Sequence, residues 1–118
     1  MGYPTLDCDV SYLTADESKK QKICNGCGAK GSVNVPDTIW GLSITRACDI
    51  HDWDYYHGMT PEDKRKADAR FLSNMFALIE SDKSSIGRLL KPLRRRRALK
   101  YYEAVVMFGE KHFYKGKV

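Results

Sequence analysis

SITRACDIHDWDYYHGMT (residues 43–60) is the stretch on which the fold turns. Within it Ile44, Ala47, Cys48, His51 and Tyr55 recur at three- and four-residue steps, so they share one face of a helix. Ser43 suits the N-cap and Gly58 the stop, and the spacing predicts a helix from Ser43 to about His57. His51 then points to the core side, one turn from both Cys48 and Tyr55. Asp52 sits about 100° further round, at the edge of that face. Thr60-Pro61-Glu62-Asp63 opens a second helix, with an N-cap hydroxyl, a Pro at the first helical position and acidic residues in the first turn. It is expected to run to about Glu80, with Phe71, Leu72, Met75 and Ile79 as its apolar stripe. Asp68 lies on that stripe, where an unpaired carboxylate is costly, so it needs a partner. An antiparallel pair joined at Gly58–Thr60 lets His51 meet Asp68. A carboxylate so placed fixes the imidazole tautomer and suits a general base. The plainer alternative is that Asp68 caps or hydrogen-bonds a core group.

Working outward, Thr14-x-x-Glu17 reads as a capping box for a helix from about Ala15 to Lys22. Asn25 to Gly41 is a long turn-rich stretch holding Gly26, Gly28, Gly31 and Pro36, with room for a small hairpin in 28–42. Ser81 to Ser85 is a polar break. Pro92 is expected to follow a short helical piece, and a last helix to span about Leu93 to Phe108, with Leu99, Tyr102, Val105 and Val106 as its core stripe. The fold class is therefore mainly α. The chain forms one domain over residues 1–118, with a basic helical tail at 83–118.

A length of 118 residues bounds the chain to one domain, large enough to bury a core without disulfide staples. With 42% hydrophobic and 30% charged residues, the composition excludes the disordered class. No apolar run approaches the roughly 18 to 20 residues of a membrane span. The first 23 residues have no apolar h-region or small-residue cleavage site, so no signal peptide is expected. That implies cytoplasmic synthesis, with release by lysis, a particle or non-classical secretion. The net charge of +5 hides a split: residues 83–118 carry +9 and residues 1–82 carry −4. A basic tail on an acidic body points to an anionic partner, a phospholipid surface or a nucleic acid, or else to a solvated helix face.

The chemistry centres on Cys48-x-x-His51-Asp52-x-x-Tyr55, preceded by the Gly-rich stretch and followed by Asp68. Hard cations such as calcium take oxygen ligands from carboxylates and from backbone carbonyls of turns. A cation beside a base is apparatus for activating water and polarising an ester. The stretch VPDTIWGLSITRACDIHDWDY (residues 35–55) resembles the active-site region of the phospholipase A2 superfamily, above all its small microbial and parvovirus-capsid branches. The resemblance covers a motif region at 24–80 and implies His51 as general base, Asp52 as calcium carboxylate and Tyr55 as a supporting hydroxyl. Ala67-Asp-Ala-Arg-Phe-Leu72 is similar to the family segment that supplies an Asp to the base, which assigns that role to Asp68. Asn25-Gly-Cys-Gly28 is similar to the calcium loop, so the carbonyls of Gly26 and Gly28 would be ligands. Asp37 is an additional calcium ligand or a turn former. The implied fold is a phospholipase A2-like helix pair with a Gly-rich metal-binding loop and a basic C-terminal helix. The implied cofactor is Ca2+, the reaction is hydrolysis of the sn-2 ester of glycerophospholipids, the partner is an anionic phospholipid surface, and the setting is a phage or viral protein. The spacing from Gly28 to His51 is longer than is usual in the family, and its disulfide ladder is absent.

The cysteines propose a rival. Cys24-x-x-Cys27 and Cys48-x-x-His51 have zinc-ligand spacing, and Arg94–Arg97 with Lys100 would then bind nucleic-acid phosphates. That reading leaves Asp52, Tyr55 and Asp68 without a role, whereas the lipase reading uses all three. Under the lipase reading Cys48 pairs with Cys24 or Cys27, or all stay thiols; Cys8 is unassigned. A His-Asp phosphohydrolase needs a His before the pair, and none precedes His51. Trp40 and Trp53 flank the site, as an acyl-chain slot or as core.

Overall fold

The structure is a computed structural model describing residues 6–24 and 36–114. Gly26, Cys27 and Gly28, and with them most of the expected Gly-rich loop, lie outside the described residues. The elements follow in the order α1 (Val10–Thr14), α2 (Glu17–Ile23), β1 (Thr38–Ile39), β2 (Leu42–Ser43), α3 (Thr45–His57), α4 (Pro61–Ser81), α5 (Ser85–Phe108) and α6 (Glu110–Phe113). The fold is mainly helical, as its periodicity requires.

The N-terminal helices differ from the expected single one. Asp9 caps α1, its carboxylate accepting from the Ser11 amide at 3.0 Å. Thr14 closes α1 instead of opening a helix, because its hydroxyl donates back to the Val10 carbonyl at 3.2 Å. The Thr14–Glu17 capping box therefore does not form, and α2 starts after Asp16. Asn74, 1% exposed on α4, ties down the N-terminal segment by exchanging bonds with the Asp7 amide (2.8 Å) and carbonyl (2.9 Å).

The hairpin pairs Thr38 with Ser43 and Ile39 with Leu42 through Trp40-Gly41. Both turn residues have positive φ, 46° and 80°. Two positive φ values in a two-residue loop match the twist of the flanking strands. Trp40 adopts the left-handed region that Asn or Gly fills more readily. Asp37 clamps the hairpin base: its carbonyl accepts from the Ile44 amide at 2.7 Å and its carboxylate from the Thr45 hydroxyl at 3.2 Å. Ser43 is thus a strand residue, and α3 starts one residue later than Ser43 capping would place it.

The start of α4 is as expected. The Thr60 hydroxyl accepts from the Asp63 amide at 3.1 Å, and the Asp63 carboxylate accepts from the amides of Thr60 (3.1 Å) and Met59 (2.9 Å). Gly58 does end α3, but its φ of −70° is not left-handed. Its smallness makes room for Phe113, whose ring would stand 2.7 Å from a Cβ there.

The C-terminal half corrects two expectations. Helix α5 runs unbroken through Pro92. Pro92 and Arg88 are both exposed, so the carbonyl that loses its i+4 donor belongs to a residue on the solvated side. The core stripe of α5 is Ala98, Tyr101 and Val105; Leu99 and Val106 are 43% and 42% exposed, and Tyr102 is half-buried. Arg94 helps to set this rotation. It is 4% exposed and forks between the Asp82 carboxylate (2.7 Å) and the Trp40 carbonyl (2.9 Å). Its place against the hairpin turns the face of Ala98 and Tyr101 inward.

The Arg94 and Ser84 hydrogen bonds hold the Asp82 carboxyl down to about 2. A carboxyl depressed by folding stabilises the fold above its ordinary pKa and loses that contribution as pH falls through the folded value. We expect stability to drop between about pH 4 and about pH 2, and Asp82→Asn to remove part of that slope. Urea midpoints measured at both ends of the window check this; identical slopes for the two proteins would refute it.

Trp53 is 1% exposed, donates from Nε1 to the Ser11 hydroxyl at 3.0 Å, and packs edge-on to Tyr12, so it is core. Trp40 is 47% exposed. No helix among the described residues is long and apolar enough to cross a membrane.

Candidate active site

The chain reverses at residues 58–60, and α3 and α4 pack antiparallel. Asp54 meets Arg70 at 3.0 Å, and His51 meets Asp68 at 2.8 Å with its ring stacked on Phe71, centroids 4.6 Å apart. The apolar stripes of both helices face this interface, and their packing brings imidazole and carboxylate together.

Asp68 is the hub. Its side chain is 2% exposed. Oδ1 accepts from His51 Nε2 at 2.8 Å and from the Tyr55 hydroxyl at 2.6 Å, and Oδ2 accepts from Lys64 Nζ at 2.7 Å. Burial pushes this carboxyl up, but the bonds from His51, Lys64 and Tyr55 outweigh it and hold the group below its ordinary value. Asp68 is therefore a carboxylate at neutral pH. The Tyr55 phenol is pushed the other way, by burial and by its bond to that carboxylate, and stays a donor.

The tautomer of His51 follows from the partner. An ionised carboxylate only accepts, so Nε2 carries the proton, and in the neutral ring Nδ1 keeps its lone pair. Nδ1 is the atom able to take a proton. The side chain retains 8% exposure.

Lys64 was missed by the sequence reading. It is 8% exposed and also donates to the carbonyls of Val105 (3.1 Å) and Val106 (3.4 Å) at the end of α5. Its i, i+4 spacing to Asp68 was a usable signal. Its link to α5, forty-one residues away, was not. The same end of α5 closes over Tyr55 because residue 109 is Gly: a Cβ there would stand 2.6 Å from the Tyr55 hydroxyl. Gly109→Ala should push Tyr55 off Asp68 and cost about 1–3 kcal/mol of stability, as overpacking does. Denaturant unfolding reads this; an unchanged midpoint would show that α5 simply lifts away.

The remaining expected residues are placed as follows. Asp52 neighbours His51 on α3 and is 7% exposed. Asp37 sits at the hairpin base, its carboxylate accepting from the Thr45 hydroxyl at 3.2 Å. Cys24 is a free thiol that donates to the Asp49 carbonyl at 3.2 Å; burial and the charges of Asp49 and Asp52 push it up to about 12. Cys48 is disulfide-bonded, and Cys24 and Cys8 are not its partners. As folded, then, neither Cys24 nor Cys48 presents a thiolate. Among the described residues no group of three or more His, Cys, Asp and Glu converges as a metal cluster.

No family model, curated protein or solved structure matches this chain. The chemistry of the site is read from its geometry. A buried carboxylate with three donors orients one imidazole, and a second carboxylate stands next to that imidazole along the helix.

Proposed function

We propose that the chain is a phospholipase A2-like hydrolase that cleaves the sn-2 ester of glycerophospholipids in the presence of Ca2+. The observation that carries this reading is the Asp68 hub, with His51 Nε2 at 2.8 Å and Tyr55 at 2.6 Å. A carboxylate held ionised in the core, with its imidazole fixed in the Nε2–H tautomer, is the arrangement of a general base and its orienting acid.

In this mechanism His51 Nδ1 takes a proton from a water as that water attacks the ester carbonyl. Asp68 steadies the imidazolium, while Tyr55 and Lys64 keep Asp68 ionised and in place. His51 then returns the proton to the departing glycerol oxygen, so the fatty acid and lysophospholipid leave with the base regenerated. The donor chemistry fits a hard cation at one point: Asp52, the residue after the base on α3, is a buried carboxylate. Calcium held by Asp52, with the carbonyls of Gly26 and Gly28 as further ligands, would supply positive charge for the lipid phosphate and the oxyanion. Asp37 is engaged with Thr45 and is not needed for that set.

The rival reading, a zinc-stabilised nucleic-acid-binding module on Cys24, Cys27, Cys48 and His51, is weakened by the protonated Cys24 and the disulfide at Cys48. One experiment separates the two. The purified chain is incubated with mixed anionic vesicles and calcium, and its metal content is measured alongside. Calcium-dependent fatty acid release without bound zinc is expected. No release, with one zinc held per chain, would overturn the reading.

A further inference from the structure

The basic run Arg94–Arg97 divides when the chain folds. Arg94 is engaged with Asp82 and the Trp40 carbonyl, and Arg95 pairs with Glu80, which also takes Lys91 at 3.0 Å. Arg96, Arg97 and Lys100 make no ion pair among the described residues. Instead they converge on the hairpin tip, where the Arg97 guanidinium stands 5.9 Å from the centre of the Trp40 ring. With Trp40 and Leu93 they line a cavity of about 300 Å³.

At about 100° per residue, Ile86, Leu89, Leu93, Arg96, Arg97 and Lys100 fall on one face of α5. That face lies about a third of a turn from the buried stripe of Ala98 and Tyr101. Its apolar half is open: Ile86 is 64% exposed and Leu89 77%, and Leu93, which lines the cavity with Trp40, is 38% exposed. The surface thus joins bare aliphatic side chains to three cations with no ion pair among the described residues and to an aromatic held at the tip of a tight turn.

We propose that this face docks on an anionic phospholipid bilayer, with one head-group phosphate seated among Arg96, Arg97 and Lys100 and with Trp40 at the level of the interface. A nucleic acid offers the phosphate but no apolar phase for Ile86 and Leu89. A bilayer offers both, and cations beside aliphatic and indole side chains are the composition of an interfacial surface. The proposal deepens the lipid reading above, yet it can be tested apart from catalysis.

The test uses a His51→Asn chain, so that turnover does not alter the membrane. Sedimentation with phosphatidylcholine vesicles containing phosphatidylglycerol is compared with pure phosphatidylcholine vesicles, inorganic phosphate and a DNA duplex. Each basic side chain at an anionic surface is worth about fivefold in affinity, so Arg96→Ala/Arg97→Ala/Lys100→Ala should weaken vesicle binding on the order of 100-fold. Lys91→Ala/Arg95→Ala, on another side of α5, should change it far less. Vesicles should blue-shift the tryptophan emission through Trp40, since Trp53 is 1% exposed. Trp40→Asn, which suits the left-handed turn, should abolish the shift, and Leu89→Ser should weaken binding without touching charge. Four outcomes overturn the proposal: equal losses from the two sets of basic substitutions, a blue shift that survives Trp40→Asn, full competition by inorganic phosphate, or DNA binding as tight as vesicle binding and indifferent to Leu89→Ser. An oligomer in solution that Leu89→Ser dissolves would likewise assign the face to a second copy of the chain.

Discussion

Asp68→Ala should lower stability by about 3–5 kcal/mol, because it strands a buried charge. Lys64 Nζ, bonded to Asp68 at 2.7 Å, would keep only the Val105 and Val106 carbonyls, and the Tyr55 and His51 donors would lose their shared acceptor. Removing one partner of a buried pair costs more than the pair contributes, since the survivor stays desolvated and uncompensated. For a domain of this size the melting temperature should fall on the order of 10–20 °C. Asp68→Asn keeps an acceptor at the same place but loses the charge, so it should fall between wild type and Asp68→Ala. Urea unfolding at constant slope measures both. A loss under about 1 kcal/mol for Asp68→Ala would mean that Lys64 swings out to water and that the hub is not a structural centre.

His51→Asn should cut calcium-dependent ester hydrolysis by about 10²–10⁴-fold, the usual contribution of a positioned general base. That is about 3–5.5 kcal/mol of barrier. The amide can still donate to Asp68, so the fold should survive, with helical circular dichroism unchanged. Initial rates of fatty acid release are the readout. A variant that folds normally and keeps full activity would place the base elsewhere and remove the proposed mechanism. The two substitutions separate two roles of one network: Asp68 should matter to stability and to rate, and His51 mainly to rate.

Much of this network was legible in the chain. Thr60-Pro61-Glu62-Asp63 carries a whole helix start within four residues, so α4 begins where those residues place it. The three- and four-residue steps of His51 and Tyr55, and the place of Asp68 on an apolar stripe, allowed the carboxylate to meet the imidazole or to hydrogen-bond another core group, and the fold does both, with His51 at 2.8 Å and Tyr55 at 2.6 Å. The other half of the hub was less visible. Lys64 is an ordinary solvated-looking residue until the end of α5 lies over it. Thr14 read as the start of a helix because its capping pattern is intact in sequence, but its hydroxyl found a nearer carbonyl behind it.

By itself, then, the sequence determined the helical class and placed His51 and Asp68 on the apolar stripes of two consecutive helices. Each of these rests on signals complete within a few turns of one helix. Only the tertiary structure decided the passage of α5 through Pro92, the inward turn of Ala98 and Tyr101 in place of Leu99 and Val106, and the split of the arginine run into engaged and open members. Pro92 is tolerated on the solvated side of the helix, and the rotation of α5 follows in part from Arg94, whose guanidinium reaches a carbonyl 54 residues away on the hairpin. A helix has no preferred rotation about its own axis until something outside it is touched, and for α5 those contacts include the Trp40 carbonyl taken by Arg94, the Thr38 carbonyl taken by the Tyr101 hydroxyl, and Lys64 at its C-terminal end.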